Sequence, residues 1–403
     1  MAQASGVFKQ LKYKVESVYG TVPAAASAQA LRRVTSDLSL NKDVYQSNEI
    51  RTDQQVADMR HGVRRVAGTI AGELSPLTYS DFMAAAVRKA WAATAALTGV
   101  SLTISGSSAP FTIVGTGFLT GNAIKAGDVI RLSVGSLNAA NISKNLLVAT
   151  VNNTTLTVYP LNGVAMVAEG PIAGCTLTVI GKKTWAPLTG HTNLSYSIEH
   201  WFSDVTLSEV FSGCQPTTID LQLPPTGLAT ISIGFVGKDI TTAASEYFTT
   251  PTAATSTGLT AAVNGLVLVN GTAVAALTGL SMQIQSNRTG DPVVGSNTIA
   301  VQFPGRILVS GQATAYFETA TLRDAFLNET EMSIMFALAS DNSATSKFIA
   351  FTLPRCKLGG AAKSDGEGGI VQTIPFTALL PSTGGSGIDR EQTTISIQDS
   401  DIA

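Results

Sequence analysis

The three histidines are the first residues to consider for chemistry, because imidazole titrates near neutral pH and is a common metal ligand. His61, His191 and His200 are the only histidines in the chain, and none stands in a His-x-x-x-His or His-Glu-x-x-His pattern. They therefore do not indicate a metal site. No Gly-x-Ser-x-Gly motif accompanies them, so the sequence does not indicate a hydrolase triad either.

The remaining motifs also lack the context that catalysis needs. Gly115–Gly121 contains closely spaced glycines, but the third glycine is misplaced and no helix pattern follows, so a turn is indicated rather than a dinucleotide loop. The cysteines, Cys175, Cys214 and Cys356, are odd in number and widely spaced, which argues against a disulfide framework and a zinc site. Such cysteine use fits a chain assembled in a reducing cytoplasm. We predict no catalytic, cofactor or metal site.

The composition is unusual in its low charge. Charged residues make up 13% of the 403 residues and hydrophobic residues 44%, whereas about 25% charged residues is usual. Few charges on a large chain predict that much of its surface contacts other subunits. The net charge of −2 leaves no basic excess to hold nucleic acid by its phosphates.

Two features bear on localisation. The residues from Met1 onward lack the apolar core of a secretory signal. The most apolar stretch, Leu259–Leu280, is interrupted by Asn and Gly, so it does not predict a membrane span. We expect a soluble protein that is not exported by the usual route, with no membrane partner.

The periodicity predicts a mainly β chain with two helices. Apolar residues at helical spacing predict helices over about Tyr79–Trp91 and Leu322–Asn328. Short Val-, Ile-, Thr- and Leu-rich runs bounded by Gly, Asn, Ser and Pro predict strands elsewhere. Examples are Val129–Val134, Leu146–Val151, Thr155–Tyr159, Leu194–Phe202, Thr217–Leu223, Thr230–Val236, Phe348–Leu353 and Ile370–Phe376.

An internal repeat is the most informative pattern. Gly62–Gly68 and Gly305–Gly311 both read Gly-x-x-x-Val-x-Gly, with a constant offset of 243 residues. The same offset relates Thr78 to Thr321 in two Thr-x-x-Asp motifs, which predict that each threonine caps a helix. Upstream, Leu-Ser-Leu at 38–40 resembles Leu-Ser-Met at 280–282 with an offset of 242, and a polar loop follows each. We interpret the repeat as a duplication.

The repeat divides the chain. Residues 95–183 contain five or six strand-like runs, no helix signal and no counterpart in the second copy, so we predict a small inserted β-domain, placed on the outer surface. Residues 1–94 and 184–262 then form a first unit, and residues 263–403 a second unit. Each unit is predicted to be a β-sandwich or barrel with a flanking α-helix.

These residues resemble a known family. Glu16–Pro23, the Leu-Ser-Leu strand, Ser47–Asp53 and Gly62–Gly68 follow one another as in siphophage major tail tube proteins. An inserted β-domain containing Ala126–Ile130 is also similar to one found in relatives. The resemblance is strongest over residues 13–92 and looser over residues 188–403.

The resemblance implies a structural virion protein that is not an enzyme. Its inner sheets would join those of neighbouring subunits into a barrel around a lumen for double-stranded DNA. Three two-unit chains would close a ring, or six chains if the second unit is not a wall unit. The rings would stack through the loop Lys42–Gly62, whose inter-ring contact candidates are Asn48, Glu49, Arg51, Asp53, Asp58 and Arg60.

The resemblance also implies partners and a location. The partners would be further copies of the chain, a tape measure protein and tail-completion or tail-tip proteins. DNA would pass without sequence-specific binding, in a virion tail assembled in the host cytoplasm. An alternative from another class is a multi-domain β-sandwich adhesin or receptor-binding protein, because residues 95–183 have the composition of such modules.

Overall fold

The structure is a computed structural model that describes residues 3–122, 124–274, 276–318, 320–365 and 367–403. It confirms a mainly β fold with two short α-helices. In the first unit the elements before residue 95 are β1 (Lys9–Val15), β2 (Ala26–Ala30), β3 (Thr35–Ser36), β4 (Ser39–Gln46), β5 (Met59–Glu73) and α1 (Ser80–Val87). The elements between residues 95 and 183 begin with β6 (Leu97–Ser105), β7 (Phe111–Val114), β8 (Val129–Ser133), β9 (Leu146–Val151), β10 (Thr155–Pro160) and β11 (Glu169–Val179).

The chain then returns to the larger body. The elements up to residue 262 are β12 (Lys182–Trp185), β13 (Tyr196–Phe202), β14 (Leu207–Leu223), β15 (Thr230–Gly237), β16 (Asp239–Ala243) and β17 (Thr250–Thr252). Those of the second unit are β18 (Gly265–Val269), β19 (Thr272–Ala273), β20 (Leu277–Gln285), β21 (Leu308–Tyr316), α2 (Thr321–Leu327), β22 (Met332–Ala339), β23 (Phe348–Leu358), β24 (Ala362–Lys363), β25 (Val371–Ala378) and β26 (Ser396–Asp399).

The strand pairing of the first unit recurs in the second. β1 pairs with β13 and β13 with β14, as β18 pairs with β22 and β22 with β23. β4, β5 and β15 are neighbours in that order, as are β20, β21 and β25. The hairpins β13–β14 and β22–β23 also share an irregularity in register. It lies next to the pair Tyr196 and Cys214 in the first hairpin and next to the pair Met332 and Cys356 in the second. Cys214 and Cys356 therefore hold corresponding positions.

The upstream part of the repeat aligns differently in the structure. Asn41 pairs with Arg65 across β4 and β5, and Gln285 pairs with Leu308 across β20 and β21. Since Arg65 and Leu308 correspond at the offset of 243, Asn41 corresponds to Gln285 at an offset of 244. The alignment of Leu38 with Leu280 is thus wrong by two residues. A slide of two leaves every side chain on the same face of a strand, so the sequence pattern could not reveal it.

Both predicted helices are present; α1 is shorter than expected, whereas α2 has the expected length and begins one residue earlier. α1 ends at Val87 because Arg88 adopts a left-handed φ of 65°, and Ala90 is exposed beyond it. The capping prediction is wrong for Thr78: its hydroxyl lies 2.6 Å from both the Ser75 and the Thr255 hydroxyl oxygens, and α1 has no side-chain cap. The corresponding prediction for Thr321 falls on a side chain outside the described part of the structure.

Phe82 of α1 links two layers of the first unit. Its ring lies 4.7 Å from Tyr13 and 5.1 Å from Tyr196, on β1 and β13, and 5.1 Å from Phe235 on β15. These rings are buried, so α1 fills the space between an outer sheet (β1, β13) and an inner sheet (β5, β15). Burial of such aromatic side chains is a main source of stability in a fold of this kind.

Strands β6 to β11 close into a separate six-stranded barrel with its own apolar core. A second apolar cluster joins this barrel to the second unit, with Val129 and Leu147 packed near Met335 and Phe348. On β22 and β23, alternate residues such as Phe336 and Phe351 face the opposite way, into the main core. The outer sheet of the second unit is therefore covered by the barrel on one side and by the main core on the other.

Candidate assembly surface

One continuous sheet runs through both units. Its strand order is β4, β5, β15, β14, β20, β21 and β25, with every neighbouring pair antiparallel. The two units meet where β14 pairs with β20, from Thr218 opposite Gln285 to Leu223 opposite Leu280. We call this pairing the internal junction. It shows that the edge strand of the inner sheet in one unit, β14, pairs with the edge strand of the inner sheet in the next, β20.

The two faces of this sheet differ in chemistry. One face carries buried Ile233, Leu221 and Met282 and packs on the core. Alternate residues point to the other face, which is rich in serine, threonine and glutamine; Ser232, Gln222, Ser281 and Gln312 are half-buried or exposed. Within these seven strands the charged residues on the polar face are Asp43, Arg65, Glu73 and Asp220. Arg65 is already paired with Asp43 at 2.7 Å.

The sheet has an uncovered edge at β4. Within the described residues β4 pairs with β5 alone. Just before β4, the Asp37 N–H donates to the Thr69 carbonyl of β5 at 3.1 Å. Because backbone N–H groups alternate in direction along a strand, the N–H of every second residue after Asp37 points to β5. The N–H groups between them, such as that of Lys42, point away from β5. The counterpart of Lys42 is Ser286, whose N–H donates to the carbonyl of Thr217 on β14 at 2.8 Å. Lys42 thus presents to solvent a donor that its counterpart uses in the internal junction.

The opposite edge lies at the end of β23 and at β24. Asp220 on β14 follows Cys214 by six residues, and Ala362 follows Cys356 by the same number, so the two positions correspond. Ala362 pairs with Thr373 of β25 on one side, whereas Asp220 pairs with Ser232 on one side and Gln283 on the other. The second partner of Ala362 is absent from the described residues. Unpaired edges of this kind are templates for another strand.

The loop between β4 and β5 projects from this sheet. We call residues 47–58 the first loop; the structure makes it shorter than the predicted Lys42–Gly62, because β4 continues to Gln46 and β5 begins at Met59. All of its residues but one are exposed. Ile50 at its tip is fully exposed.

The six predicted contact residues lie together on or beside the first loop. Arg51 donates to Asp53 at 2.8 Å, and Arg60, which belongs to β5, donates to Asp58 at 2.9 Å. Asn48 and Glu49 lie exposed near the tip. Exposed ion pairs contribute about 0–1 kcal/mol each, so these charges are free to exchange partners. Contact of Asn48, Glu49, Arg51, Asp53, Asp58 and Arg60 with an adjacent ring stays a prediction.

The corresponding loop of the second unit, residues 286–307, is folded against the first unit. We call it the second loop. The Arg288 guanidinium donates to Asn193 Oδ1 at 2.6 Å and to Gln215 Oε1 at 3.0 Å. The Arg64 N–H donates to the Asn297 carbonyl at 2.9 Å, and Arg64 forms a β-bridge with Thr298. Val294, at the tip, remains fully exposed like Ile50.

A buried ion cluster fixes the barrel to the larger body. Lys183 Nζ on β12 lies 2.9 Å from Asp128 on the barrel and 3.3 Å from Glu391 near the end of the second unit. All three side chains are buried. Burial opposes the charged form of Lys183, but Asp128 and Glu391 outweigh it and raise its pKa above the ordinary value. The cluster joins three segments that are distant in sequence.

Two further buried carboxylates are fully occupied by hydrogen bonds. Glu16 accepts from the Ser195 and Ser197 hydroxyls at 2.6 and 2.7 Å, and from the Gly213 N–H at 2.8 Å. Glu199 accepts from the Ser208 hydroxyl at 2.6 Å and the Tyr247 N–H at 2.7 Å. Carboxylates with these partners hold backbone segments in place.

His200 is buried between the outer sheet and Ser36, whose hydroxyl lies 2.8 Å from Nε2. Burial lowers the pKa of His200 to about 3, and the charges of Lys9 and Arg33 act in the same direction. The unfolded chain therefore binds this proton first, at the ordinary pKa near 6.5. The stability contributed by the neutral ring is present above pH 6.5 and is lost as the pH falls toward 3.

Replacing His200 by Gln is expected to flatten the loss of stability in acid. The wild-type free energy of unfolding should fall by up to about 4 kcal/mol more than that of the variant between pH 7 and pH 3.5. Urea denaturation at each pH measures the difference. Asp399, whose pKa burial raises to about 6, contributes the opposite slope in both proteins and cancels in the comparison. Exposed His191→Gln is the control; equal slopes for wild type and His200→Gln would contradict the assignment.

No group of three or more His, Cys, Asp and Glu side chains in the described ranges is placed to hold a metal ion. Among the described residues, no helix is long and apolar enough to cross a membrane.

Sequence reasoning missed several assembly features. The free edges cannot be distinguished from covered strands by composition, because both alternate in the same way. Apolar Ile50, Val56 and Met59, in or beside a polar loop, were a signal that could have been used. The repeat at an offset of 243 would have aligned Val56 with Ile299 and Met59 with Gln302.

Comparison with known proteins agrees with a structural interpretation. A family model described as phage tail tube protein matches residues 9–378, which is most of the chain. A search of curated proteins found no significant match.

Proposed function

We propose, from the fact that this chain belongs to the phage tail tube protein family, that its copies close into rings and that the rings stack into a tail tube. The tube would be the conduit for double-stranded DNA during ejection into the host. The observation that carries the proposal is the internal junction, in which the last inner strand of one unit pairs with the first inner strand of the next.

The two free edges support ring closure. In the proposed ring, β4 of one chain adds to β23–β24 of its neighbour as β20 adds to β14. Applied to the corresponding residues, the register of Asp220 opposite Gln283 places Ala362 opposite Ser39 of the neighbour. A rotation that closes leaves no sheet edge exposed. With two wall units in each chain, three chains supply six units.

A disulfide across the proposed junction is expected to give closed three-chain rings. Ser39→Cys with Ala362→Cys places one thiol on each side of the junction, and both positions are exposed. The native Cys175, Cys214 and Cys356 are buried and should not compete. Non-reducing gels of assembled protein should show a ladder that ends at three chains.

The single-cysteine variants are the controls, and neither should give more than a trace of cross-linked product. A ladder that ends at six chains would support a hexameric ring joined through the same two edges. Cross-links confined to single chains would contradict the junction itself.

The polar face of the sheet suits the lumen. It carries Ser, Thr and Gln, and its charged residues, Asp43, Arg65, Glu73 and Asp220, sum to a slightly acidic surface. DNA binding at neutral pH depends on basic groups that neutralise phosphates. A face of this composition would let DNA slide without holding it.

Stacking is assigned to the loop tips. Ile50 and Val294 occupy corresponding places and are both fully exposed. Burying one such side chain stabilises a contact by about 1.5–3 kcal/mol, more than an exposed ion pair. Asn48, Glu49, Arg51 and Asp53 surround Ile50 and would contact the adjacent ring with it.

The remaining assignments follow the same proposal. The barrel of residues 97–179 packs on the outer sheet, away from the polar face, which supports an inserted domain on the outside of the tube. The tape measure protein would occupy the lumen before DNA, and tail-completion and tail-tip proteins would bind the ends of the tube. Assembly would take place in the host cytoplasm.

A further inference from the structure

The second loop shows how such a loop binds a neighbouring unit. Its Asn297 carbonyl accepts from Arg64 of the first unit, and Arg288 binds Asn193 and Gln215 there. In this position Ile299 is only 4% exposed and Gln302 only 5%. These contacts lie beside the internal junction, so the loop and the strand pairing belong to one interface.

The first loop connects the corresponding strands, β4 and β5, but no other unit packs against it in the described residues. At the offset of 243, Val56 corresponds to Ile299 and Met59 to Gln302. Val56 is 62% exposed and Met59 is 50% exposed. Two apolar side chains therefore stand in solvent at positions whose counterparts are buried.

The surface that would cover them lies on the second unit of a neighbouring chain. Within one chain the second loop packs on the first unit. In the proposed ring the first loop packs in the same way on the second unit of the neighbouring chain. The positions of Asn193 and Gln215 are taken there by Glu329 and Lys357, counted along the paired hairpins β13–β14 and β22–β23. Neutral amides on one unit are thus replaced by charges on the other.

The charged residues around these positions are half-buried or exposed. Arg355 lies 2.5 Å from Glu331, and Lys357 lies 3.2 Å from Glu329. We call these four residues the charged patch. Asp58 at the end of the first loop and Arg60 at the start of β5 flank Met59, whereas the positions aligned with them in the second loop are Val301 and Phe303. Val301 and Phe303 stay 50% and 58% exposed in the second loop, whereas Asp58 and Arg60 offer both signs of charge to the charged patch.

We propose that the first loop clamps adjacent chains within one ring. Val56 and Met59 bury against the second unit of the neighbouring chain, and Asp58 and Arg60 exchange their internal pair for partners in the charged patch. Asn48–Asp53 at the tip remain free for the adjacent ring. The inference rests on the proposed function and divides the six predicted contact residues between two interfaces.

A cysteine pair tests the neighbour directly. The β-bridge between Arg64 and Thr298 has its counterpart between Ile307 of one chain and Gln55 of the next. Gln55→Cys with Ile307→Cys should cross-link adjacent chains, and a non-reducing gel should show a ladder that ends at three chains. Arg64→Cys with Thr298→Cys is the matched control and should cross-link within one chain.

The outcomes separate the inference from the proposed function. A ladder longer than the one that Ser39→Cys with Ala362→Cys gives would place the contact between rings and overturn the clamp. Assembled tubes without any cross-link would overturn it too, while the tube proposal stands. If wild-type protein forms neither rings nor tubes in electron micrographs, the proposed function fails and the clamp fails with it.

A second variant tests the burial without a covalent bond. Met59→Ser is expected to raise the protein concentration needed for ring formation by about tenfold or more, since one buried Met side chain is lost at each joint. Ile50→Ser is the control: it should leave ring formation unchanged and weaken stacking. An unchanged ring threshold for Met59→Ser would contradict the clamp.

Discussion

Lys42→Pro is expected to abolish ring closure while leaving the single chain folded. The Lys42 N–H points away from β5, so proline at this exposed position removes no hydrogen bond within the chain. It does remove the donor that corresponds to Ser286 N–H in the internal junction. Proline at an edge also blocks the approach of a further strand. Electron microscopy and sedimentation should show monomers in place of rings and tubes.

Two companion variants show whether the effect belongs to the edge. Lys42→Ala keeps the N–H and should assemble like the wild type. Ser286→Pro removes a hydrogen bond inside the chain and should lower the thermal midpoint of the monomer, which Lys42→Pro should leave nearly unchanged. Long tubes formed by Lys42→Pro would show that β4 is not a ring-closing strand.

Lys183→Met is expected to have the largest effect on the stability of the single chain. It leaves Asp128 and Glu391 buried without their shared cation. Removing one member of a buried ion cluster costs about 3–5 kcal/mol, because the remaining charges are uncompensated. Chemical denaturation measures the loss, and fluorescence from Trp185 on the same strand reports the junction locally.

Lys182→Met is the matched control for this cluster. Lys182 precedes Lys183 on β12, points to the opposite side and is less buried. Its replacement should change the free energy of unfolding by no more than about 0.5 kcal/mol. If both variants lose the same stability, the cluster does not hold the barrel to the larger body.

Much of the fold could be predicted because local pattern and structure agree. Leu146–Val151 is a short, almost fully buried apolar run, and Val371–Ala378 alternates between half-buried and buried residues; both form strands close to the predicted bounds. Local chemistry also closes the hairpin between β9 and β10. The Asn152 side chain accepts from the Thr154 and Thr155 N–H groups, which forms a side-chain turn.

The rest depended on contacts between distant residues. Thr78 was predicted to cap α1, but its hydroxyl is held by Thr255, far along the chain. Lys183, Asp128 and Glu391 carry no sequence signal as a group. For the candidate site, the resemblance to tail tube proteins located the first loop, yet it could not reveal which of the neighbouring residues are covered. Only the second loop, folded on the first unit, indicates that Val56 and Met59 lack a partner.

The internal junction has a kinetic consequence for assembly. Of the six seams in the proposed ring, three lie inside single chains and form as each chain folds. Because residues 224–276 connect β14 to β20 within one chain, this seam forms without a bimolecular encounter. Joining three chains takes only two bimolecular encounters, because the third seam closes within the three-chain assembly, whereas six separate subunits need five. Nucleation should therefore require less protein than for a ring of six separate subunits.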